Sequence, residues 1–202
     1  MINKNEELVT ENNELDAEIN DSEPSNQSAS DEIDPLAVPN ENYYPGTSTI
    51  ISIGDVLYSS KSFVTSTKIV GHVAIVGPDY RIYHVNPKGD VAGKRDTLTE
   101  YRNRHDPGET IYAYRPSKGA TGAANWASNN YSSAITYDIV NLNALSSISP
   151  NYCSKFIWQA FYYGSSIDIT HLALTGSSVA WVTPGHIKNS STLTYLTSFS
   201  SR

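Results

Sequence analysis

The sequence predicts an α+β domain: a small antiparallel sheet packed against helices. Two observations predict it. Short β-branched and aromatic runs, punctuated by turn chemistry, fill the first half of the aromatic-bearing region. The second half carries helical patterns, the strongest an apolar stripe through residues 149–164.

The elements follow in chain order. Thr47–Tyr58 (TSTIISIGDVLY) has β-branched residues on both sides of Gly54-Asp55, the pattern of a strand, a tight turn and a second strand. Lys68–Val76 (KIVGHVAIV) is an apolar strand holding one histidine. Gly77-Pro78-Asp79 supplies a turn, and Tyr80–Val85 (YRIYHV) returns as its hairpin partner. Asp96–Arg104 (DTLTEYRNR) is expected as a short helix capped by Asp96. Thr110–Tyr114 (TIYAY) is a further strand, closed by Arg115-Pro116. Gly122–Asn130 is a short helix with a small-residue face, and Tyr137–Leu145 reads as a loop or weak helix. Ser149–Gly164 (SPNYCSKFIWQAFYYG) is the best helix: Ser149 or Asn151 can cap it, Pro150 suits its first turn, and Gly164 is placed to end it. Its apolar positions 153, 156, 157, 160 and 161 share one stripe. Val182-Thr183-Pro184 opens a last polar segment.

Charge divides the chain. Residues 1–42 carry twelve Asp or Glu against one Lys and no aromatic residue, a balance of -11. Residues 43–202 carry nine acids against thirteen Lys or Arg, a balance of +4, and hold every Tyr, Phe and Trp. The first piece has too little apolar side chain to offset its ordering entropy, so it reads as a mostly disordered acidic tail, linker or pro-segment, with Leu8, Leu15 and Ile19 able to line a transient helix. The rest is one domain. Opposite charge leaves open that the tail is a spacer or a mask over the domain.

Several function classes are excluded. No window approaches ~18 consecutive apolar residues, so no membrane-spanning helix is expected. One cysteine excludes an internal disulfide framework and a multi-cysteine zinc site. There is no HExxH and no paired CxxC, so neither metal nor cofactor is expected. No G-x-S-x-G elbow is present, and the scattered basic residues argue against nucleic-acid binding. The N-terminus lacks the apolar run of a secretory signal. Taken literally this means a cytoplasmic protein; a processed form whose signal has been removed is the alternative. Scarce cysteine and a polar, tyrosine-rich domain favour the latter, with an extracellular or cell-wall-associated location.

Three residues carry the candidate chemistry. Cys153 falls in the first turn of the strongest helix, where unpaired N–H groups and the helix dipole are expected to stabilise a thiolate and hold an oxyanion beside it. His72 and His84 lie on the two strands of the hairpin. With a three-residue turn they stand directly opposite, Cβ atoms ~5 Å apart on one face. One imidazole then serves as base toward Cys153 while the other orients it. The plain alternatives are a cysteine acting as a small hydrophobe and histidines serving the fold. His105, His171 and His186 are expected at the surface.

The ordered runs GDVLYSS, GHVAIV, IYHVNPKGDV, NYCSKFIWQAF and VTPGHIKNS resemble the circularly permuted branch of the NlpC-type papain-like superfamily, the YiiX- and YycO-like bacterial group related to the lecithin:retinol acyltransferase fold. The resemblance spans about residues 50–195, and the histidine strand preceding the cysteine helix is the mark of permutation. It implies Cys153 as nucleophile, His72 as general base and His84 as the third, orienting group. Many bacterial members carry an acidic residue at the third position, whereas a histidine there is the acyltransferase-like pattern. Asp55 of the Gly54-Asp55 step reads as structural. The implied function is a thiol hydrolase of the peptidase or amidase type acting on bacterial cell-wall peptides. A lipid acyl hydrolase or acyltransferase is the alternative, and a non-catalytic cell-surface binding module of the same fold is a third.

Overall fold

The computed structural model describes residues 42–61, 71–140 and 143–202. The acidic segment before Asn42, with the helix expected through Leu8, Leu15 and Ile19, lies outside them, as does Lys68–Val70 of the expected second strand. Six strands form one antiparallel sheet: β1 (Val56–Ser59), β2 (His72–Val76), β3 (Ile82–Val85), β4 (Gly93–Asp96), β5 (Thr110–Pro116) and β6 (Leu193–Ser200), in the order β4-β3-β2-β1-β5-β6. Among the described residues four α-helices accompany it: α1 (Leu98–Asn103), α2 (Ala120–Asn130), α3 (Cys153–Ser165) and α4 (Pro184–Lys188). This is the α+β architecture the sequence predicts. None of these helices is long and apolar enough to cross a membrane.

Every residue of β1, β2 and β3 is buried, so these strands are covered on both faces. Val73, Ile75, Tyr83 and Val85 join Phe156, Ile157 and Phe161 of α3 in one apolar cluster. Ala74, Val76 and Ile82, on alternate positions, join Leu57, Tyr101 of α1, Ile111 and Phe199 in another.

Several boundaries differ from expectation for identifiable reasons. The strand expected before Gly54 is reduced to a single bridge between Tyr43 and Ile50. Buried Asp55 folds that stretch back: it accepts from the Ser52 N–H (2.9 Å), from the Tyr44 hydroxyl (3.0 Å) and from both Nε and Nη2 of Arg115 (2.8 Å each). This is the structural role read for Asp55. The α1 cap is Thr97, not Asp96; Thr97 Oγ1 accepts from the Glu100 N–H and the Glu100 carboxylate accepts from the Thr97 N–H. Asp96 is thereby left at the end of β4. Helix α3 starts at Cys153 with Tyr152 at its cap, because Asn151 is committed elsewhere: its Nδ2 donates to Gln159 Oε1 (2.7 Å) and its Oδ1 accepts from the Tyr152 N–H (2.8 Å). Strands β4 and β6 escape the sequence pattern, β4 being a polar GKRD run and β6 a half-exposed edge strand.

Gly164 does not end α3. It lies within the helix, where α2 and α3 cross at Gly122, and the left-handed turn is taken by Ser166 at φ 56. A Cβ on Gly164 would fall inside the backbone of Gly122 and within 3.0 Å of the Ala123 nitrogen. Gly164→Ala is therefore expected to lower stability by about 2–3 kcal/mol and the melting temperature by roughly 5–10 °C, read by thermal unfolding.

Candidate active site

The hairpin sets the geometry. Its loop has five residues, Gly77–Arg81, closed by the Gly77 N–H donating to the Arg81 carbonyl (2.7 Å), with Tyr80 at φ 59. Asp79 pins it, accepting from the Arg81 N–H (3.1 Å), the Tyr83 hydroxyl (3.0 Å) and Arg95 Nε (2.9 Å). Ile75 therefore pairs with Tyr83 and Val76 with Ile82, a register two residues away from the expected one. His72 and His84 are diagonal neighbours, not direct opposites. An even shift keeps both on the same face, and His72 Nε2 lies 3.0 Å from His84 Nδ1.

The chain of contacts continues. His84 Nε2 lies 2.8 Å from Asp96 Oδ2, and Arg104 clamps that carboxylate through Nε and through Nη2 (2.7 Å to Oδ1). Burial raises the Asp96 carboxyl, but hydrogen bonds from His84 and Arg104 outweigh it and hold the group well below the usual carboxylate range. Burial pushes His84 down despite the bond to Asp96. Burial, then the neighbouring His84 and His105, pushes His72 far down. Both imidazoles are neutral at neutral pH, and this fixes their tautomers. The ionised Asp96 only accepts, so His84 Nε2 carries its proton and Nδ1 its lone pair. His72 Nε2 must then donate to His84 Nδ1, which leaves the basic lone pair of His72 on Nδ1. Asp96 thus selects, at two removes, which nitrogen of His72 carries the lone pair.

Cys153 lies in the apolar cluster on the other face of the sheet, with Val73 and Phe156. The β2–β3 ladder stops at Ile75–Tyr83, and the backbone of Val73, the residue after His72, acts to lower the Cys153 thiol. The N–H groups of Ser154 and Cys153 itself, at the start of α3, also favour the thiolate, while the Ser154 hydroxyl donates to the Val182 carbonyl (2.9 Å). Yet Cys153 is only 2% exposed, and burial outweighs all of these, pushing the thiol up to about 11. The expected depression of the thiol by the helix start is overturned by desolvation. The thiol and the His72 imidazole are each neutral at rest.

The other histidines divide. His105 is buried, not exposed as expected: its Nδ1 lies 3.2 Å from Glu109 Oε2, and its ring is 6.3 Å from that of His72. A buried glutamate needs a partner, and α1 delivers His105 to it. His171 is exposed among the hydroxyls of Ser190, Ser191 and Thr192. His186 is half-buried in the capping box of α4 with Thr183. Sequence reasoning missed Asp96, Arg104 and the tyrosines near the thiol. Tyr137 is raised by burial and then by charge at Cys153; Tyr152 is pushed up to about 12 by burial, against a hydrogen bond with Val182 and with a smaller push from Cys153.

The family described as "Lipoprotein N-acylation protein LnsA-like" matches residues 38–185. The chain belongs to that family. An uncharacterised 30.3 kDa protein of Bacillus thuringiensis is 27% identical to this LnsA-like chain over 135 residues, covering 62% of the chain and 49% of the relative. The chain thus spans about half the length of the curated relative it matches. A crystal structure described as metalloprotein YiiX from Escherichia coli O157:H7 superposes with a TM-score of 0.51 at 13% identity, covering 74% of this chain and 98% of that one. The likeness is one of fold, and with the family match it bears out the resemblance to the YiiX-like permuted papain-like group. Among the described residues no group of three or more His, Cys, Asp or Glu is arranged to hold a metal ion, and both His84 nitrogens are engaged.

Proposed function

We propose that this LnsA-like domain transfers an acyl group through a thioester on Cys153, with a lipid ester as donor and water or an amine as acceptor. The observation that supports this reading is the Asp96–His84–His72 chain, which sets the tautomer of an imidazole on the strand whose next residue, Val73, packs in one cluster with Cys153. His72 Nδ1 takes the thiol proton, and the thiolate attacks the ester carbonyl carbon. The N–H groups at the start of α3 stabilise the resulting oxyanion. Its collapse breaks the C–O bond, and the leaving alkoxide takes the proton from His72. Water or an amine, deprotonated by His72, then attacks the thioester and restores the thiol.

Two features support a lipid donor over a peptide. The family description concerns lipoprotein N-acylation. The loops beside α3 also present exposed Val140, Val179 and Trp181, with the Trp181 N–H satisfied by the Ile139 carbonyl (2.6 Å), so apolar surface adjoins the helix start. A cell-wall peptide amidase would use the same residues; the +4 balance of residues 43–202 suits an anionic wall.

Trapping the intermediate tests the assignment. The protein is incubated with short-chain phospholipid or with cell-wall muropeptide, quenched in acid, and the Cys153 peptide is weighed. An acyl adduct from phospholipid, released by hydroxylamine, is the expected result. A peptidyl adduct with muropeptide alone would favour the amidase. Turnover with an unmodified Cys153 would overturn the thioester route, and neither adduct nor turnover with either donor would leave a non-catalytic binding module.

A further inference from the structure

Gln159 sits in the middle of α3, fully buried, where a helix covered along this length would ordinarily carry an apolar residue. Its carboxamide is fully used. Nε2 donates to the Leu145 carbonyl (2.6 Å) and the Ser147 carbonyl (2.9 Å), and Oε1 accepts from Asn151 Nδ2 (2.7 Å). Two carbonyl partners leave the amide a single orientation. Asn151, equally buried, is as fully committed. Its Nδ2 also donates to the Ile148 carbonyl (3.1 Å), and its Oδ1 accepts from the Tyr152 N–H (2.8 Å).

We infer that Gln159 is a positioning residue: by holding the Asn151 side chain back, it withholds a cap from α3 and keeps the Cys153 N–H open for the oxyanion. The inference rests on Cys153 being the nucleophile. Asparagine is among the best capping residues, and its side chain readily closes a turn on the N–H two residues ahead. Two residues ahead of Asn151 is Cys153. The Asn151 backbone is fixed independently: its N–H donates to the Thr136 carbonyl (2.9 Å) and its carbonyl accepts from the Asp138 N–H (3.0 Å). Only the side chain can choose, and the bond to Gln159 turns it toward Tyr152. Tyr152, at the cap position, gives no side-chain bond to the first turn in its place. A helix start hidden from water is normally capped, because its first N–H groups have no partner within the helix. Here Cys153 and Ser154 are both buried, and their N–H groups are the donors an oxyanion beside the sulfur requires. The carboxamide pair thus keeps the best local acceptor away from them.

Gln159→Met keeps the bulk of the side chain and loses its hold, so Asn151 can close on the Cys153 N–H. The expected result, with a phospholipid ester as substrate, is a kcat lower by about 100-fold, the usual loss of one oxyanion donor, with KM little changed. Adding Asn151→Ala to that variant removes the cap and should restore most of the lost kcat. A merely structural Gln159 predicts the opposite, a double variant at least as slow as the single one. Position 151 makes the same comparison with Gln159 intact, should Gln159→Met fail to fold. An aspartate there has no N–H for Gln159 Oε1, and Gln159 cannot reverse its amide without forfeiting Leu145 and Ser147. In Asn151→Asp the released carboxylate should take the Cys153 N–H and slow turnover about 100-fold. Asn151→Ala, which cannot cap, should not. No recovery in the double variant, or equal turnover in the aspartate and alanine variants, would overturn the inference. Cys153→Ala is assayed alongside. If it stays active, the nucleophile assignment fails; if it is dead while Gln159→Met turns over as the unaltered protein does, only the role of Gln159 fails.

Discussion

Cys153→Ala is expected to lower acyl transfer by about 10⁴–10⁶-fold while leaving the fold intact, measured as turnover of a phospholipid ester and by circular dichroism. The group removed is one small sulfur in an apolar cluster with Val73 and Phe156, and its loss forfeits little packing. Cys153→Ser should be nearly as inactive, since a hydroxyl is a far weaker nucleophile than a thiol. The same substitutions have a signature in stability. The thiol titrates near 9 when exposed and at about 11 in the fold. A group whose pKa rises on folding stabilises the native state fully below the lower value and loses that contribution between the two. Unaltered protein should therefore lose about 2–3 kcal/mol of stability as pH rises from 9 to 11. The alanine variant should lack this slope, read as denaturant midpoint against pH. An alanine variant retaining turnover would remove Cys153 from the chemistry.

The thiol shows where sequence reasoning runs out. Its position at a helix start beside a histidine strand is written in short-range patterns: the stripe through Phe156, Ile157 and Ala160, and a hairpin carrying His72 and His84. The sign of its pKa shift is not, because it depends on how completely α2, α3 and the sheet exclude water. The hairpin register failed for a similar reason. Gly77-Pro78-Asp79 looks like a complete turn, but Asp79 gathers Arg81, Tyr83 and Arg95, the last from a strand with no apolar pattern of its own. That same unseen strand delivers Asp96. An aspartate before Thr-Leu-Thr-Glu reads as a helix cap, and only the capping box at Thr97 frees it for His84. The face shared by the histidines survived the error because the slip was even. The α+β class survived because it rests on the summed pattern and no single boundary decides it.

Asp96→Asn is expected to lower kcat by about 10³-fold with KM little changed. The reason is the chain of tautomers. Asp96 can only accept, so it dictates Nε2–H on His84 and, through the 3.0 Å contact, Nε2–H on His72. An asparagine can present either its carbonyl or its amide to His84. The amide orientation reverses both tautomers, places the His72 proton on Nδ1 and leaves no lone pair there to receive the thiol proton. The electrostatic consequence runs the same way: an imidazolium formed at His72 loses the carboxylate that balances it across His84. Stability should also fall, on the order of 3 kcal/mol, since Arg104 keeps its charge beside a neutral amide. The pH profile distinguishes a broken chain from a loosened fold. His72 and His84 are both held below the ordinary imidazole value near 6.5, so in the unaltered protein the base stays neutral, and activity persists, below that pH. Asp96 stays ionised throughout that range. In Asp96→Asn the loss should be uniform across pH 6–9, because a misplaced proton is not restored by removing protons from solution. A variant whose activity recovers at higher pH would instead show that Asp96 tunes the acidity of His72 without choosing its tautomer.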